Sequence, residues 1–433
     1  MRFSTKHFLA LVYILASASN LFGQEEGSVL KAEKGKFLLK SGTLVTVTQG
    51  ILADTDLLIE DGKIKRIGKM LPEADAQVID CKAKFVYPGF IDSGTRLGLV
   101  EVNSLEETRD YQEIGQVTPN MQALVAVNPN AVAIPVTRVS GVTTVLSLPS
   151  GGLFPGTSAL IHLNGYTPDQ MYAGFKGIVL AFPNTGRMGP NDTRNEETVK
   201  KEAEEAIQRL DEVWENAAEY HKLHNAGASL GYYPEMAQLA KVLNKELPLI
   251  IEVNVAGDIL SAIEWIKDKD IRVVFSGVSE GWRVAEQLAK SGIPVIAGPI
   301  LALPPRQSDR YDIAYANPGL MAKAGVKVAL RTNEAENVRN LPFHAGFAAT
   351  YGMGQEEALK AVTIHPAEIF GLEMEIGSLE EGKIANLFVS DGDPFEPRSQ
   401  IVQVFIQGYK IPLTNRQIRL YQEFLERSPG LAK

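Results

Sequence analysis

The chain opens and closes on short alternating β-rich runs, while its middle carries unbroken apolar runs separated by helical periodicity. Near the start, Phe37-Leu38-Leu39, Thr43-Leu44-Val45-Thr46-Val47, Leu57-Leu58-Ile59 and Lys63-Ile64-Lys65-Arg66-Ile67 read as strands. Between the last two, Glu60-Asp61-Gly62 supplies residues that tolerate a tight hairpin turn. The same texture returns in Asn386-Leu387-Phe388-Val389 and Val402-Gln403-Val404-Phe405-Ile406. Strands so distant in sequence share a sheet only if a compact domain between them brings them together. Residues 24–85 and 372–412 are therefore expected to form one small β-sheet module.

Between these ends, apolar runs with little alternation occur at 142–148, 177–182, 248–253, 272–275, 293–298 and 326–330, with another at 85–91. Runs of this kind suit strands buried on both faces, as in a parallel sheet covered by helices. Helical spacing lies between them: Val199, Ala203, Ala206, Leu210, Val213, Ala217 and His221 recur every three or four residues with charges between. A further helix fits 355–370, ahead of Gly371. The pattern predicts an α/β fold, a (β/α)8 TIM-type barrel over 86–371 with the β-sheet module built from both termini. Seven strands are apparent and the eighth is not. Residues 413–433 are expected to form a helical tail.

With 433 residues, 45% of them hydrophobic and 22% charged, the chain can bury a large core. The first residues look like a secretory signal: Arg2 and Lys6 precede a short apolar run from Phe8 to Ala16, and small or polar residues follow. Cleavage after 1–23 would start the mature chain near Gln24, in a periplasmic or extracellular setting. It would remove two positive charges and no negative ones, taking the net charge from −9 to −11. An acidic surface disfavours nucleic acid and anionic lipid. The expected partners are a small-molecule ligand and a second subunit, identical or related, with no membrane attachment after cleavage. Cys81 is the single cysteine, so no intrachain disulfide and no thiolate cluster can form; it reads as a buried small residue.

In barrels of this type the working groups stand just past the strands. Past the first run, Pro88-Gly89-Phe90-Ile91-Asp92 leads into Ser93-Gly94-Thr95-Arg96. This stretch resembles the amidohydrolase superfamily, whose first barrel strand ends in Pro-Gly-x-Ile-Asp-x-His-x-His. Gly377-Ser378-Leu379-Glu380-Glu381-Gly382-Lys383-Ile384-Ala385-Asn386 is similar to that family's return into its β-module, and Thr363-Ile364-His365-Pro366-Ala367 to its Thr-x-Asn-Pro-Ala helix. The branch it resembles most is the imidazolonepropionase-like one.

The resemblance implies a hydrolase of non-peptide C–N bonds, of the cyclic amide class, with metal ligands at stated places. Those places hold Gly94 and Arg96 for the two histidines, Glu252 and Ser276 for the next two, and Asn333 for the catalytic aspartate. Glycine has no donor side chain and a guanidinium no free lone pair, and an asparagine does not accept a proton from water. Neither metal nor cofactor is therefore expected. The alternative to a hydrolase is a non-catalytic relative that binds a small ligand or an active paralogue.

Arg96, Glu252, Ser276, Asn333 and His344 are the candidates at the mouth. Because Arg96 and Glu252 stand where two ligands would converge, the resemblance implies that they pair. Glu280, Trp282, Arg283, Arg331, Glu334, Asn337, Arg339, Glu101 and Arg109 could add a polar lining. His162, His221, His224 and His365 read as packed or surface histidines. The Gly151-Gly152 to Pro155-Gly156 loop lacks the Gly-Lys-Ser/Thr of a phosphate cradle.

Overall fold

The structure, a computed structural model, describes residues 31–186 and 193–430. The signal-like segment 1–23 lies outside the described residues. Five N-terminal strands, β1 (Phe37–Val45), β2 (Ile51–Glu60), β3 (Lys63–Gly68), β4 (Gln77–Asp80) and β5 (Phe85–Pro88), form one sheet with three late ones. These are β14 (Leu387–Ser390), β15 (Ile401–Ile406) and β16 (Tyr409–Ile411). The sheet order is β16-β15-β14-β5-β1-β2-β3, with β4 also on β1. Asp61 and Gly62 both take positive φ between Ile59↔Ile64 and Glu60↔Lys63 pairs, the backbone a tight hairpin requires. Phe37, Leu39, Leu57, Ile59, Val86, Leu387 and Phe405 pack on one side, and Cys81 is buried among them, its thiol pushed up to about 11 by burial.

A second eight-stranded sheet curls almost fully round. Its strands are β6 (Phe90–Thr95), β7 (Val142–Ser147), β8 (Gly156–His162), β9 (Tyr172–Ala181), β10 (Leu249–Val253), β11 (Val273–Gly277), β12 (Val295–Ala297) and β13 (Val328–Leu330). This is the TIM-type barrel that the apolar runs predict. The eighth strand, which the sequence pattern hides, is β8, and it runs antiparallel to both β7 and β9. A short loop with left-handed Gly151 and Gly152 turns the chain directly back after β7, so no helical crossover precedes β8. The other seven strands run parallel in the order of the chain.

Each strand gives one apolar side chain to a ring inside the barrel: Ile91, Leu146, Leu160, Val179, Ile250, Val274, Ile296 and Ala329. Alternate residues, among them Phe90, Val145, Ile178, Leu249, Phe275, Val295 and Val328, face the helices outside. At the N-terminal end of the strands, Ile364, Ala367, Phe370 and Ile376 extend the inner cluster. The helix expected over 355–370 is two, Gln355–Ala361 and Ile364–Phe370. Pro366 explains the break, since its ring excludes the carbonyl of Val362 from a continuous helix. The amphipathic helix of the 199–221 pattern runs from Glu196 to Asn225, capped by the Asn195 side chain and burying Leu210, Trp214 and Ala217. A last helix, Arg416–Leu425, buries none of its side chains. Among the described residues no helix is long and apolar enough to cross a membrane.

Strands β5 and β6 meet at Gly89, where a β-carbon would lie 2.1 Å from Thr143 Oγ1. Only glycine lets the first barrel strand come that close to the second. The barrel's seam, between β13 and β6, is closed by single bonds past the strand ends. Asn333 N–H donates to Gly94 O at 2.9 Å, and Arg96 N–H to Glu334 O at 2.9 Å.

Candidate functional site

Strand geometry fixes which residues reach the barrel mouth. Side chains alternate faces, so the residue two past each inner apolar one also points inward, one layer nearer the C-terminal end. Two past Ile250, Val274 and Ala329 stand Glu252, Ser276 and Arg331. The structure joins these three. Arg331, 3% exposed, spreads both terminal nitrogens onto the two oxygens of Glu252, Nη2 donating to Oε2 at 3.0 Å and Nη1 to Oε1. Nη1 also donates to Ser276 Oγ at 2.7 Å, and that hydroxyl donates to Glu252 Oε1 at 2.8 Å. Arg331 Nε donates to Gly298 O at 3.2 Å.

The guanidinium is thus held by a bidentate carboxylate, a hydroxyl and a carbonyl, a planar fork matched on both prongs. Burial alone would raise the Glu252 carboxyl. The charge and hydrogen bonds of Arg331, the Ser276 hydroxyl and the charge of Arg96 outweigh it and hold the group below the ordinary carboxylate value. Gly94 gives Arg331 its path: a β-carbon there would lie 2.8 Å from Arg331 Cδ and 2.8 Å from Leu148 Cδ1.

The pairing expected for Glu252 with Arg96 is therefore corrected: Arg331 is the partner. Arg331, one residue past β13 and two past the inward Ala329, reaches across the mouth to Glu252, whereas the side chain of Arg96, one residue past β6, turns to Tyr111. The Arg96 guanidinium lies 4.7 Å from the centre of the Tyr111 ring, in cation–π contact, and reaches Glu252 only through its field. Asn333 sits on the seam with φ of 56°, a left-handed conformation that asparagine tolerates. His344 stands apart. It is buried on the helix Leu341–Ala348, and its Nδ1 accepts from Ile300 N–H at 3.2 Å. Burial lowers its pKa to about 4, so it stays neutral with that lone pair engaged.

Beside this network, Asp92 bridges the seam. It is fully buried and accepts from Thr332 Oγ1 at 2.6 Å, Thr332 N–H at 3.1 Å and Gly94 N–H at 3.1 Å. Burial pushes the carboxyl up to about 7, against those donors and the charge of Arg331. In the sequence, Asp92 belongs to the Pro-Gly-x-Ile-Asp motif and Arg331 stands at a strand's flank, and neither is marked as a site residue. The alternation of inner and outer positions was the signal that singles out Arg331.

A cleft of 1250 Å³ opens over the ends of β9 to β12, lined by Asn184, Val255, Glu280, Pro304, Arg306 and Tyr311 among others. Buried Glu280 accepts from Arg306 Nη2 at 2.7 Å and Ala256 N–H at 2.9 Å, and Arg283 lies 3.7 Å away. Glu101 and Arg109 bond within their own long segment, to Asn128 and to Asn103 O, and shape that loop. His162 is packed between Thr144 and Asn386.

The groups at the mouth do not make a donor set for a divalent ion. Glu252 has both oxygens bound by a cation, and the aliphatic stem of Arg331 lies along the path a side chain at position 94 would need. Among the described residues, no group of three or more His, Cys, Asp or Glu comes together in a way that could hold a metal ion.

Residues 85–411 match the Amidohydrolase family. A 5-methylthioadenosine/S-adenosylhomocysteine deaminase of Thermoanaerobacter pseudethanolicus is 22% identical over 88% of this chain and 94% of its own length. A D-hydantoinase of Geobacillus stearothermophilus is 48% identical over 62 residues, which are 14% of this chain and 13% of the hydantoinase. An imidazolonepropionase of Shouchella clausii is 35% identical over 26% of this chain and 24% of that protein. Among solved structures, an amidohydrolase from Thermotoga maritima superposes with a TM-score of 0.76 at 26% identity, covering 88% of this chain and 100% of that one.

Proposed function

This chain belongs to the amidohydrolase family, and from that premise we propose that its barrel mouth binds a small ligand without metal-dependent hydrolysis. The observation that carries the proposal is the bidentate Arg331–Glu252 pair at the centre of the mouth. Hydrolysis of a C–N bond near neutral pH requires an activated water, which in a metal site comes from the lowered pKa of a bound water. Here the carboxylate that would ligate or act as base is neutralised by a fixed cation. A carboxylate held below its usual pKa is a weaker base still. His344 has its Nδ1 lone pair engaged by a backbone N–H. Asp92, whose carboxyl is raised to about 7, is fully buried with its oxygens engaged by Thr332 and Gly94, which keeps it from a water at the mouth.

The relatives' names point to cyclic amides and purine-like rings as the compounds to try. Purified protein is to be incubated with hydantoin, dihydrouracil, a five-membered lactam and 5-methylthioadenosine, each with added zinc, with added manganese and with a chelator. The expected result is no turnover that metal raises or chelator removes. Turnover that appears with zinc or manganese and vanishes with chelator would overturn the proposal.

A further inference from the structure

We propose that the ligand at the mouth is a small organic carboxylate and that Arg96 is its anchor, an inference that rests on the metal-free reading of the mouth. Arg331 and Glu252 cancel each other's charge, while Arg96 stands beside them with no carboxylate of its own. The Arg96 side chain makes no hydrogen bond or ion pair with any described residue; its one contact of that strength is the face of Tyr111, 4.7 Å away. Other arginines near the mouth are engaged: Arg306 with Glu280, Arg283 with Asp309, and Arg109 with Asn103 O.

Arg96 is only half-buried and its nitrogens reach solvent, so its donors are open to an incoming acceptor. Contact with an aromatic face uses none of the guanidinium's hydrogen-bond donors, so the planar fork remains able to meet a carboxylate through two bonds. Arg96 is also tied by its backbone to the seam, through the bond to Glu334 O at 2.9 Å. The neighbouring carboxylate of Glu252 is only partly exposed and bound on both oxygens by Arg331, which limits its repulsion of an incoming anion. A ligand acid would complete the set: two guanidinium groups and two carboxylates, each paired.

The test uses the full chain and calorimetric titration with glutarate, N-acetylglycine and benzoate, with benzamide as the uncharged counterpart. At least one of the acids is expected to bind saturably at one site per chain, at least tenfold more tightly than benzamide. Binding should fall with added salt, and R96Q should weaken it at least tenfold while melting like the parent protein. R96K, which keeps the charge and loses the planar fork, should fall between. Absence of binding by all three acids, equal binding of benzoate and benzamide, or unchanged binding in R96Q would each overturn the inference. Acid binding that a chelator abolishes and R96Q leaves intact would instead locate an ion at the mouth, and would overturn the functional reading along with it.

Discussion

Glu252→Ala is expected to cost about 3–5 kcal/mol of folding stability, because it leaves the Arg331 guanidinium buried without its counter-ion. The side chain of Glu252 is 26% exposed, so water reaches part of the vacated space and the lower end of that range is expected. Replacing both partners together, Arg331→Met with Glu252→Leu, should cost less than either single change, since no charge is then stranded. Urea unfolding of the four proteins gives the coupling energy directly. Single losses that simply add would show that the two groups do not act as a pair. The pair also has a pH signature. Because Arg331 holds the folded carboxyl below its unfolded value, its contribution is present above about pH 4.3 and is lost as pH falls through the lower, folded value. Glu252→Gln should therefore lose less stability than the parent on acidification below about pH 4.

Asp92→Ala should rank second in cost, at roughly 3 kcal/mol. It strips the acceptor from Thr332 N–H, the Thr332 hydroxyl and Gly94 N–H, and stranded buried donors cost about 1–3 kcal/mol each before the site relaxes. The seam between the first and last barrel strands depends on that carboxylate. Asp92→Asn keeps one acceptor oxygen and should cost less. Its pH dependence separates it from the Glu252 change, because the two carboxyls shift in opposite directions. The folded Asp92 carboxyl titrates at about 7, and an unfolded one at about 3.9. The folded chain thus binds a proton that the unfolded chain lacks between these values. The stability linked to it is complete below the unfolded value and is lost as pH rises through 7. The parent should gain on Asp92→Asn as pH falls from 7 towards 4, measured by unfolding at each pH. A difference that stays constant over that window would contradict the buried, proton-holding state of Asp92.

Much of the barrel was legible because unbroken apolar runs mark strands covered on both faces. The antiparallel β8 was not, since Thr157, Ser158 and His162 dilute its apolar signal although all seven of its residues are buried. The terminal sheet showed through its alternation and the Asp61-Gly62 turn. At the mouth, Glu252 and Ser276 were legible through the resemblance, whose ligand places fall on them, and in the fold each follows an inner apolar position by two. Arg331 obeys the same rule, but the family's ligand places fall on Arg96 and Asn333 instead. The choice between Arg96 and Arg331 as partner of Glu252 depends on the space above Gly94 and on the pull of the Tyr111 ring. Both are properties of the folded chain, and no local pattern carries them.

The Arg331 guanidinium, and no metal ion, is expected to fill the mouth of the barrel. Elemental analysis of the purified protein, grown with zinc, iron and manganese supplied, tests it most directly. The expected result is far less than one of these ions per chain, with no change in Glu252→Ala. About one ion or more per chain, lost in the Glu252→Ala protein, would contradict it.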